Sequence, residues 1–303
     1  MDATADRLGA HAVLREDGAH GTCPPAYAPW SAGYRRTPTI DERAGAVHLG
    51  LTRCALDEGG LVEEHLHAYE ETVFVLGGEL ELASDGGARR LGAGGYALLA
   101  PGARHAWRNV GSGAARWVEL AFPRPRPAGG MPDTVFCGNS DLSAPLAAAL
   151  GGAAAPTPVV GCVGATLPGG LELAGLGADV AGIQIEMLVD AAAGAAQSTL
   201  FVVEYAPGTT LALHDHPYEE AYVILEGAVE AEVDGQMHRL TAGDVLWIGV
   251  GSIHGFANRD DVPVRWLEAQ APQPPARHAT RFRHAWASVA EAAAGPAAPA
   301  SRA

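Results

Sequence analysis

The 303-residue sequence predicts an all-β protein that consists of two small barrels. Its length corresponds to about two domains of ordinary size. Its 39 glycines and 21 prolines favour short strands joined by tight turns over long helices. A segment of about fifty residues also occurs twice at constant spacing, as expected for two copies of one domain.

The repeat is clearest around two histidine-rich segments. The first contains His65 and His67, the second contains His214 and His216, and the copies are therefore 149 residues apart. Further matching pairs are His105 with His254, Asn109 with Asn258, and Trp117 with Trp266. Core packing alone has no reason to reproduce polar residue types at fixed positions. The repeated polar residues therefore indicate a function in each copy.

Each copy consists of short strands separated by turns. Apolar runs at 72–76 and 221–225 end at glycines, which indicates strands followed by turns. Strands this short and evenly spaced suggest a barrel or a jelly roll. The predicted domains are an irregular N-terminal arm (1–29), a first barrel (30–123), a linker with a short helix at 139–150 (124–179), a second barrel (180–275) and a C-terminal tail with a helix at 285–294 (276–303).

The composition excludes several classes of function. A formal charge of −15 without a basic stripe argues against nucleic-acid binding. All 20 basic residues are arginines, so Schiff-base, pyridoxal and phosphate-loop lysine chemistry is excluded. Four widely spaced cysteines are expected to be free thiols: Cys23, Cys54, Cys137 and Cys162. No signal peptide or apolar run of transmembrane length is visible, so we expect a cytoplasmic protein without a membrane partner.

Histidine spacing predicts a metal site in the lumen of each barrel. Residues two apart on a strand point to one face, so His65 and His67 project together. Glu71 follows on the next strand, and His105 comes from a later one. The second copy supplies the equivalent set: His214, His216, Glu220 and His254. Three imidazoles and one carboxylate suit a divalent transition metal (Fe(II), Mn(II), Ni(II), Co(II), Cu(II) or Zn(II)), and we expect about two metals per chain.

These residues resemble a known family. The spacing Gly-x5-His-x-His-x3-Glu-x6-Gly, followed by Gly-x5-Pro-x-Gly-x2-His-x3-Asn, is similar to the double signature of the cupin superfamily. The only departures are Ala100 and Gly249, which replace the proline and are not ligands. The layout also resembles bicupins of the (S)-ureidoglycine aminohydrolase kind, although that family has a single metal site with a different ligand order. The resemblance implies two cupin barrels of the double-stranded β-helix (jelly-roll) type, a bound metal and a homo-oligomer.

Residues beside the ligands are candidates for second-shell or substrate contacts. Glu70 and Glu219 precede the ligand glutamates, and each either orients an imidazole or lies on the solvated rim. Tyr222 is expected on the same lumen face as Glu220, either as a catalytic residue or as a barrel-filling one. Two asparagines close the second motif and are further candidates: Asn109 and Asn258. A basic cluster beyond the second barrel is expected to be a packed tail or, alternatively, a carboxylate clamp: Arg277, Arg281 and Arg283.

Three functions are compatible with these features. The first is an O2-dependent dioxygenase acting on a small enolic, aromatic or carboxylate substrate, because bicupins with intact ligand sets, quercetinases among them, resemble this sequence. The second is a non-redox hydrolase, decarboxylase or isomerase that uses the metal as a Lewis acid. The third is a small-molecule binding or storage protein like the seed globulins, whose barrels generally lack the ligand set. We expect the second barrel to be the catalytic one, because it contains Tyr222 and precedes the arginine cluster.

Overall fold

A computed structural model describes residues 10–16, 21–85, 87–126, 132–138, 157–164, 166–167, 182–274 and 280–282. Apart from one short 3-10 turn (Ala28–Trp30), the regular structure of these residues is entirely β, which confirms the predicted fold class. The helices expected at 139–150 and 285–294 lie outside the described residues. No helix among the described residues is long and apolar enough to cross a membrane.

The strands form two groups along the chain. Residues 11–162 contain β1 (His11–Leu14), β2 (Ser31–Ile40), β3 (Gly50–His67), β4 (Glu70–Gly77), β5 (Leu80–Ser84), β6 (Gly87–Leu91), β7 (Gly95–Leu99), β8 (His105–Asn109), β9 (Ala115–Phe122), β10 (Thr134–Phe136) and β11 (Val159–Cys162). Residues 183–282 contain β12 (Ile183–Val189), β13 (Thr199–Tyr205), β14 (Thr210–Asp215), β15 (Glu219–Glu226), β16 (Ala228–Val233), β17 (Gln236–Thr241), β18 (Val245–Ile248), β19 (His254–Ala257), β20 (Val264–Ala271) and β21 (Arg281–Phe282).

Antiparallel pairing of these strands builds two barrels. A single sheet forms the first, in the order β11-β7-β4-β9-β3-β8-β5-β6, with β2 and β10 also paired to β3. The second barrel has two sheets, β1-β18-β15-β20-β13-β12 and β17-β16-β19-β14-β21. The 18-residue β3 passes from one wall to the other, whereas its counterpart is split into β13 and β14. Pro207 lies in this break, and a proline has no N–H to donate to the ladder.

Alternation along β4 and β15 decides which side chains reach the lumen. Val73 and Val75 pack inside the first barrel, and Tyr222 packs inside the second. The neighbouring residues on each strand point outward, so Phe74 on β4 and Val223 on β15 belong to an apolar cluster shared by both domains. The two barrels therefore pack through the outer faces of their sheets.

The arm and the linker exchange strands between the barrels. Strand β1 pairs with β18 of the second barrel, in register from His11 with Ile248 to Leu14 with Val245. In a reciprocal way, β11 from the linker pairs with β7 of the first barrel. The expectation of an irregular arm is thus wrong at His11–Leu14. A strand forms there because a distant domain supplies an edge to pair with.

Candidate metal centres

The first barrel brings three histidines and one glutamate to a single point. His65, His67, Glu71 and His105 are each at most 3% exposed. The Nε2 atoms of His67 and His105 lie 3.3 and 3.2 Å from Oε2 of Glu71. A ligating nitrogen from each of the three histidines lies within 4.8 Å of the other two. This is the arrangement that a metal with nitrogen and oxygen ligands requires.

Hydrogen bonds to the outer nitrogens set the tautomer of the imidazoles. Nδ1 of His65 lies 2.8 Å, and Nδ1 of His105 lies 3.0 Å, from the backbone carbonyl oxygen two residues earlier. A carbonyl oxygen only accepts, so each Nδ1 carries the hydrogen. The Nε2 atoms therefore present lone pairs to the centre, which is the state that binds a metal.

The second barrel repeats this geometry. Nδ1 of His214 and of His254 lie 2.7 and 3.0 Å from the carbonyl oxygen two residues earlier. Nε2 of His216 lies 3.4 Å from Oε1 of Glu220, and Nε2 of His254 lies 3.1 Å from its Oε2. The three ring-centroid separations are 4.9, 4.3 and 5.3 Å, against 4.9, 4.2 and 5.2 Å in the first barrel.

The chemistry of the first centre fits a cation. Nε2 of His67, Nε2 of His105 and Oε2 of Glu71 are buried without a hydrogen-bond partner among the described residues. Burial lowers the pKa of His65 and of His67 far below the ordinary value. Buried nitrogen and oxygen atoms without a partner, beside the neutral rings of His65 and His67, are the donor set that a divalent transition metal binds.

The second centre also fits a cation. Burial, followed by the neighbouring histidines, lowers the pKa of His214 to about 3, so this ring is neutral. Burial alone would raise the pKa of Glu220, but the surrounding histidines lower it to about 2 and keep the group ionised. Both barrels therefore offer the donor set of a divalent transition metal.

We expect the protein to contain close to two metals per chain when it is isolated without chelators, because both ligand sets are complete. The double change His214→Ala/His216→Ala should remove one equivalent and leave the other. Elemental analysis of the wild type and this variant checks the expectation. Repeated values of one metal or none in the wild type would show that one centre is misassigned.

The two centres differ in what surrounds the carboxylate ligand. The hydroxyl of Tyr222 donates to Oε2 of Glu220 at 2.8 Å, and Nε2 of Gln270 donates to Oε1 at 3.0 Å. Val73 and Ala121 occupy the equivalent positions, 149 residues earlier, in the first barrel. Two donors therefore hold the carboxylate ligand of the second barrel, and those two donors are missing in the first. Sequence reasoning placed Tyr222 in this lumen but missed Gln270.

Each lumen also contains a second buried acid. In the first barrel Glu119 accepts a hydrogen bond from the guanidinium of Arg36 at 2.7 Å. In the second barrel the indole of Trp266 donates to the equivalent Glu268 at 3.0 Å, and Ile185 occupies the position of the arginine. Burial, followed by the nearby Glu220, raises the pKa of Glu268 well above its ordinary value. The second lumen thus contains a buried carboxyl group with an uncharged hydrogen-bond donor where the first contains an ion pair.

Short strands from beyond each barrel close the centres. Strand β10 pairs with β3, and Oγ1 of Thr134 lies 2.9 Å from Nδ1 of His67. The ring centroid of Phe136 lies 5.3 Å from that of His65. Strand β21 pairs with β14 in the same way, and the ring centroid of Phe282 lies 5.6 Å from that of His214. Sequence reasoning missed these residues, although Thr-x-Phe at 134–136 and at 280–282 is itself a repeat.

Arg281 is engaged within the protein. Its Nε donates to Oδ1 of Asp215 at 2.6 Å, between the two strands that pair beside the second centre. This contact agrees with the packed-tail interpretation of the arginine cluster. Arg277 and Arg283 lie outside the described residues.

Glu70 and Glu219 take neither of the roles considered from the sequence, and instead join the domains. The carboxylate of Glu70 accepts hydrogen bonds from the backbone and side chain of residues 196–198, at 2.6 Å from the nearest amide and 2.6 Å from the serine hydroxyl. The carboxylate of Glu219 accepts three backbone N–H bonds from residues 47–49, at 2.8, 3.0 and 3.3 Å. Both carboxylates are 3% exposed or less, so neither lies on a solvated rim.

Asn109 and Asn258 hydrogen-bond the backbone of neighbouring loops. Nδ2 of Asn109 donates to the carbonyl oxygens of Leu56 and Gly113 at 2.9 and 2.7 Å. Nδ2 of Asn258 donates to those of Tyr205 and Val262 at 3.0 and 2.9 Å. Both amide groups therefore bind the backbone, which corrects the expectation that these asparagines orient a metal ligand or contact the substrate.

Comparison with known proteins agrees with this geometry. The sequence model of the cupin domain matches residues 52–121 and 201–269, which contain the two ligand sets. The chain is 31% identical over 96 residues to the tetracenomycin polyketide synthase protein TcmJ of Streptomyces glaucescens, a match that covers 30% of this chain and 64% of that protein. It is also 31% identical over 96 residues to the polyketide synthase protein CurC of Streptomyces cyaneus, covering 30% and 62%. The chain thus spans less than two thirds of either relative.

Solved structures share the two-barrel fold. The putative glyoxylate-induced protein of Pseudomonas aeruginosa superposes with a TM-score of 0.63 at 18% identity, covering 86% of this chain and 89% of that one. The oxalate decarboxylase of Lactobacillus farciminis, in a formate complex, gives 0.61 at 16% identity, covering 89% and 92%. The matched segments lie in the two barrels, and each barrel has three histidines and one glutamate at its centre, so this chain contains two cupin domains.

Proposed function

We propose that this bicupin is a metal-dependent dioxygenase that acts on a small enolic or aromatic molecule at the second centre. The observation that carries the proposal is the second ligand set, in which three buried histidines converge on Glu220 and each of its two oxygens is held by a further donor. A bound divalent metal supplies Lewis acidity and, where the ion is redox-active, the ability to react with O2.

The protein's own groups would orient this chemistry. Tyr222 and Gln270 fix Glu220 from opposite oxygens, so the ligand does not reorganise when a substrate arrives. The hydroxyl of Tyr222 also lies 3.4 Å from Nε2 of His254, close to the ligating atoms. Burial, followed by Glu220, raises the pKa of Tyr222 well above its ordinary value, so its hydroxyl remains a hydrogen-bond donor.

The sequence relatives support the substrate class. Both are described as polyketide synthase proteins of Streptomyces, which supports a substrate of polyketide type. Such molecules are often enolic or phenolic, and a deprotonated oxygen of that kind is a good ligand for the proposed metals. The aromatic side chains of the second lumen, among them Phe256 and Trp266, surround the centre with apolar surface.

Non-redox catalysis is the second candidate. The same donor set also accepts Mn(II) or Zn(II). The oxalate decarboxylases of Lactobacillus farciminis and Bacillus subtilis share the two-barrel fold. In this case the metal would act as a Lewis acid in a decarboxylation, hydrolysis or isomerisation without consuming O2.

Oxygen dependence separates the two candidates. We expect metal-loaded protein to consume O2 in proportion to product when it is offered a panel of enols, polyphenols and 2-oxo acids, and to stop under nitrogen. An oxygen electrode and mass spectrometry of the product in 18O2 check this. The variant His214→Ala/His216→Ala serves as the control, because it lacks the second centre. Equal turnover with and without O2 would replace the dioxygenase by the non-redox candidate.

A further inference from the structure

We propose that His11 and His238 form a third metal site, on the surface of the second barrel, for a divalent ion such as Zn(II). His11 lies on β1, which the N-terminal arm contributes, and His238 lies on β17. Their Nε2 atoms are 3.1 Å apart. Neither residue belongs to the ligand sets of the two barrel centres.

An aspartate prepares His11 to be a ligand. Oδ2 of Asp234 lies 3.3 Å from Nδ1 of His11, and Oδ1 of the same carboxylate accepts the N–H of Ile253 at 3.0 Å. A carboxylate that is fixed in this way only accepts, so Nδ1 carries the hydrogen and Nε2 presents its lone pair to His238. Carboxylate–histidine–metal arrangements of this kind are the usual environment of a metal-binding imidazole.

The distance between the two rings suits a shared ion. Two nitrogens bound tetrahedrally at about 2.0–2.1 Å from zinc are separated by about 3.3 Å. The ring centroids of His11 and His238 are 5.1 Å apart. Several ligand pairs in the barrel centres have the same spacing, with centroids 4.9 to 5.3 Å apart.

Water reaches the pair of His11 and His238, so a metal ion can enter and leave. Without a metal, His238 donates its Nε2–H to His11. When the ion binds, this proton moves through water to Nδ1 of the same ring, so His238 binds as the neutral Nδ1–H tautomer. The side chain of His11 is 12% exposed, so water can complete the coordination shell. Because β1 and β17 belong to different sheets, the ion would fasten the N-terminal strand across the second barrel.

Equilibrium dialysis of the isolated, metal-containing protein against ZnCl2 tests the proposal. We expect the wild type to bind one equivalent more than either His11→Ala or His238→Ala. The matched control is His48→Ala, a partly exposed histidine in the first domain, which should bind as much as the wild type. Asp234→Asn should keep the site but raise its Kd for zinc by about 10- to 100-fold, because it replaces the carboxylate that accepts from Nδ1 of His11 by a neutral amide.

A second readout covers the case in which a variant is destabilised. Hydrogen exchange at the amides of β1 should slow when zinc is added to the wild type, and should not change in His238→Ala. Retention of the metals of both barrel centres shows that the variants are folded. Equal zinc binding by the wild type and both alanine variants would overturn the proposal, as would zinc-independent exchange of β1 in the wild type.

Discussion

Glu220→Gln is expected to abolish turnover in a folded protein, whereas Glu71→Gln should retain measurable turnover and melt at a lower temperature. The change replaces an ionised ligand by a neutral amide and disrupts the hydrogen bonds from Tyr222 and Gln270. Loss of a residue that merely orients a ligand costs about 10- to 100-fold, so loss of the ligand itself should cost at least about a hundredfold. In the first barrel the lumen offers Val73 in place of the tyrosine, and we expect a structural role for its metal.

Steady-state kinetics, metal analysis and thermal unfolding of both variants test this expectation together. Glu226→Gln is the matched control, because the residue is exposed on the same strand as Glu220. It should leave kcat, metal content and melting temperature at wild-type values. The reverse pattern would place the active site in the first barrel, and equal losses of turnover would indicate two working centres.

Glu70→Ala and Glu219→Ala should each destabilise the protein by at least about 1–3 kcal/mol, the cost of leaving a buried hydrogen-bond donor without its acceptor. Each change leaves the hydrogen-bond donors of a loop in the other domain without their acceptor. The loops are equivalent, since residues 47–49 and 196–198 are 149 positions apart, so the two losses should be similar.

Chemical denaturation measures both losses. Glu79→Ala, at an exposed glutamate that follows β4, should change the free energy of unfolding by no more than about 0.5 kcal/mol. Glu70→Gln keeps one acceptor oxygen and should show an intermediate loss. Effects of Glu70→Ala and Glu219→Ala that stay within the range of the Glu79 control would contradict the domain-joining role.

The neighbouring pair Glu70 and Glu71 shows how far a local pattern can be interpreted. The spacing from His67 marks Glu71 as a ligand, because the strand period directs it into the lumen. The same period directs Glu70 outward, but it does not say whether water or another domain lies there. The structure places the amides of residues 196–198 at that position, more than a hundred residues along the chain.

The sequence by itself determined the all-β class, the two barrels and the residues at both metal centres, because strand period, turn residues and an internal repeat are local properties. Only the tertiary structure showed that β1 and β11 exchange barrels, that β10 and β21 close the centres, and that Gln270 holds Glu220. Each of these contacts joins segments that are far apart in the chain. The partner of each segment is set by which sheet edges and which buried acceptors lie close together in the folded protein. A local sequence pattern does not contain that information.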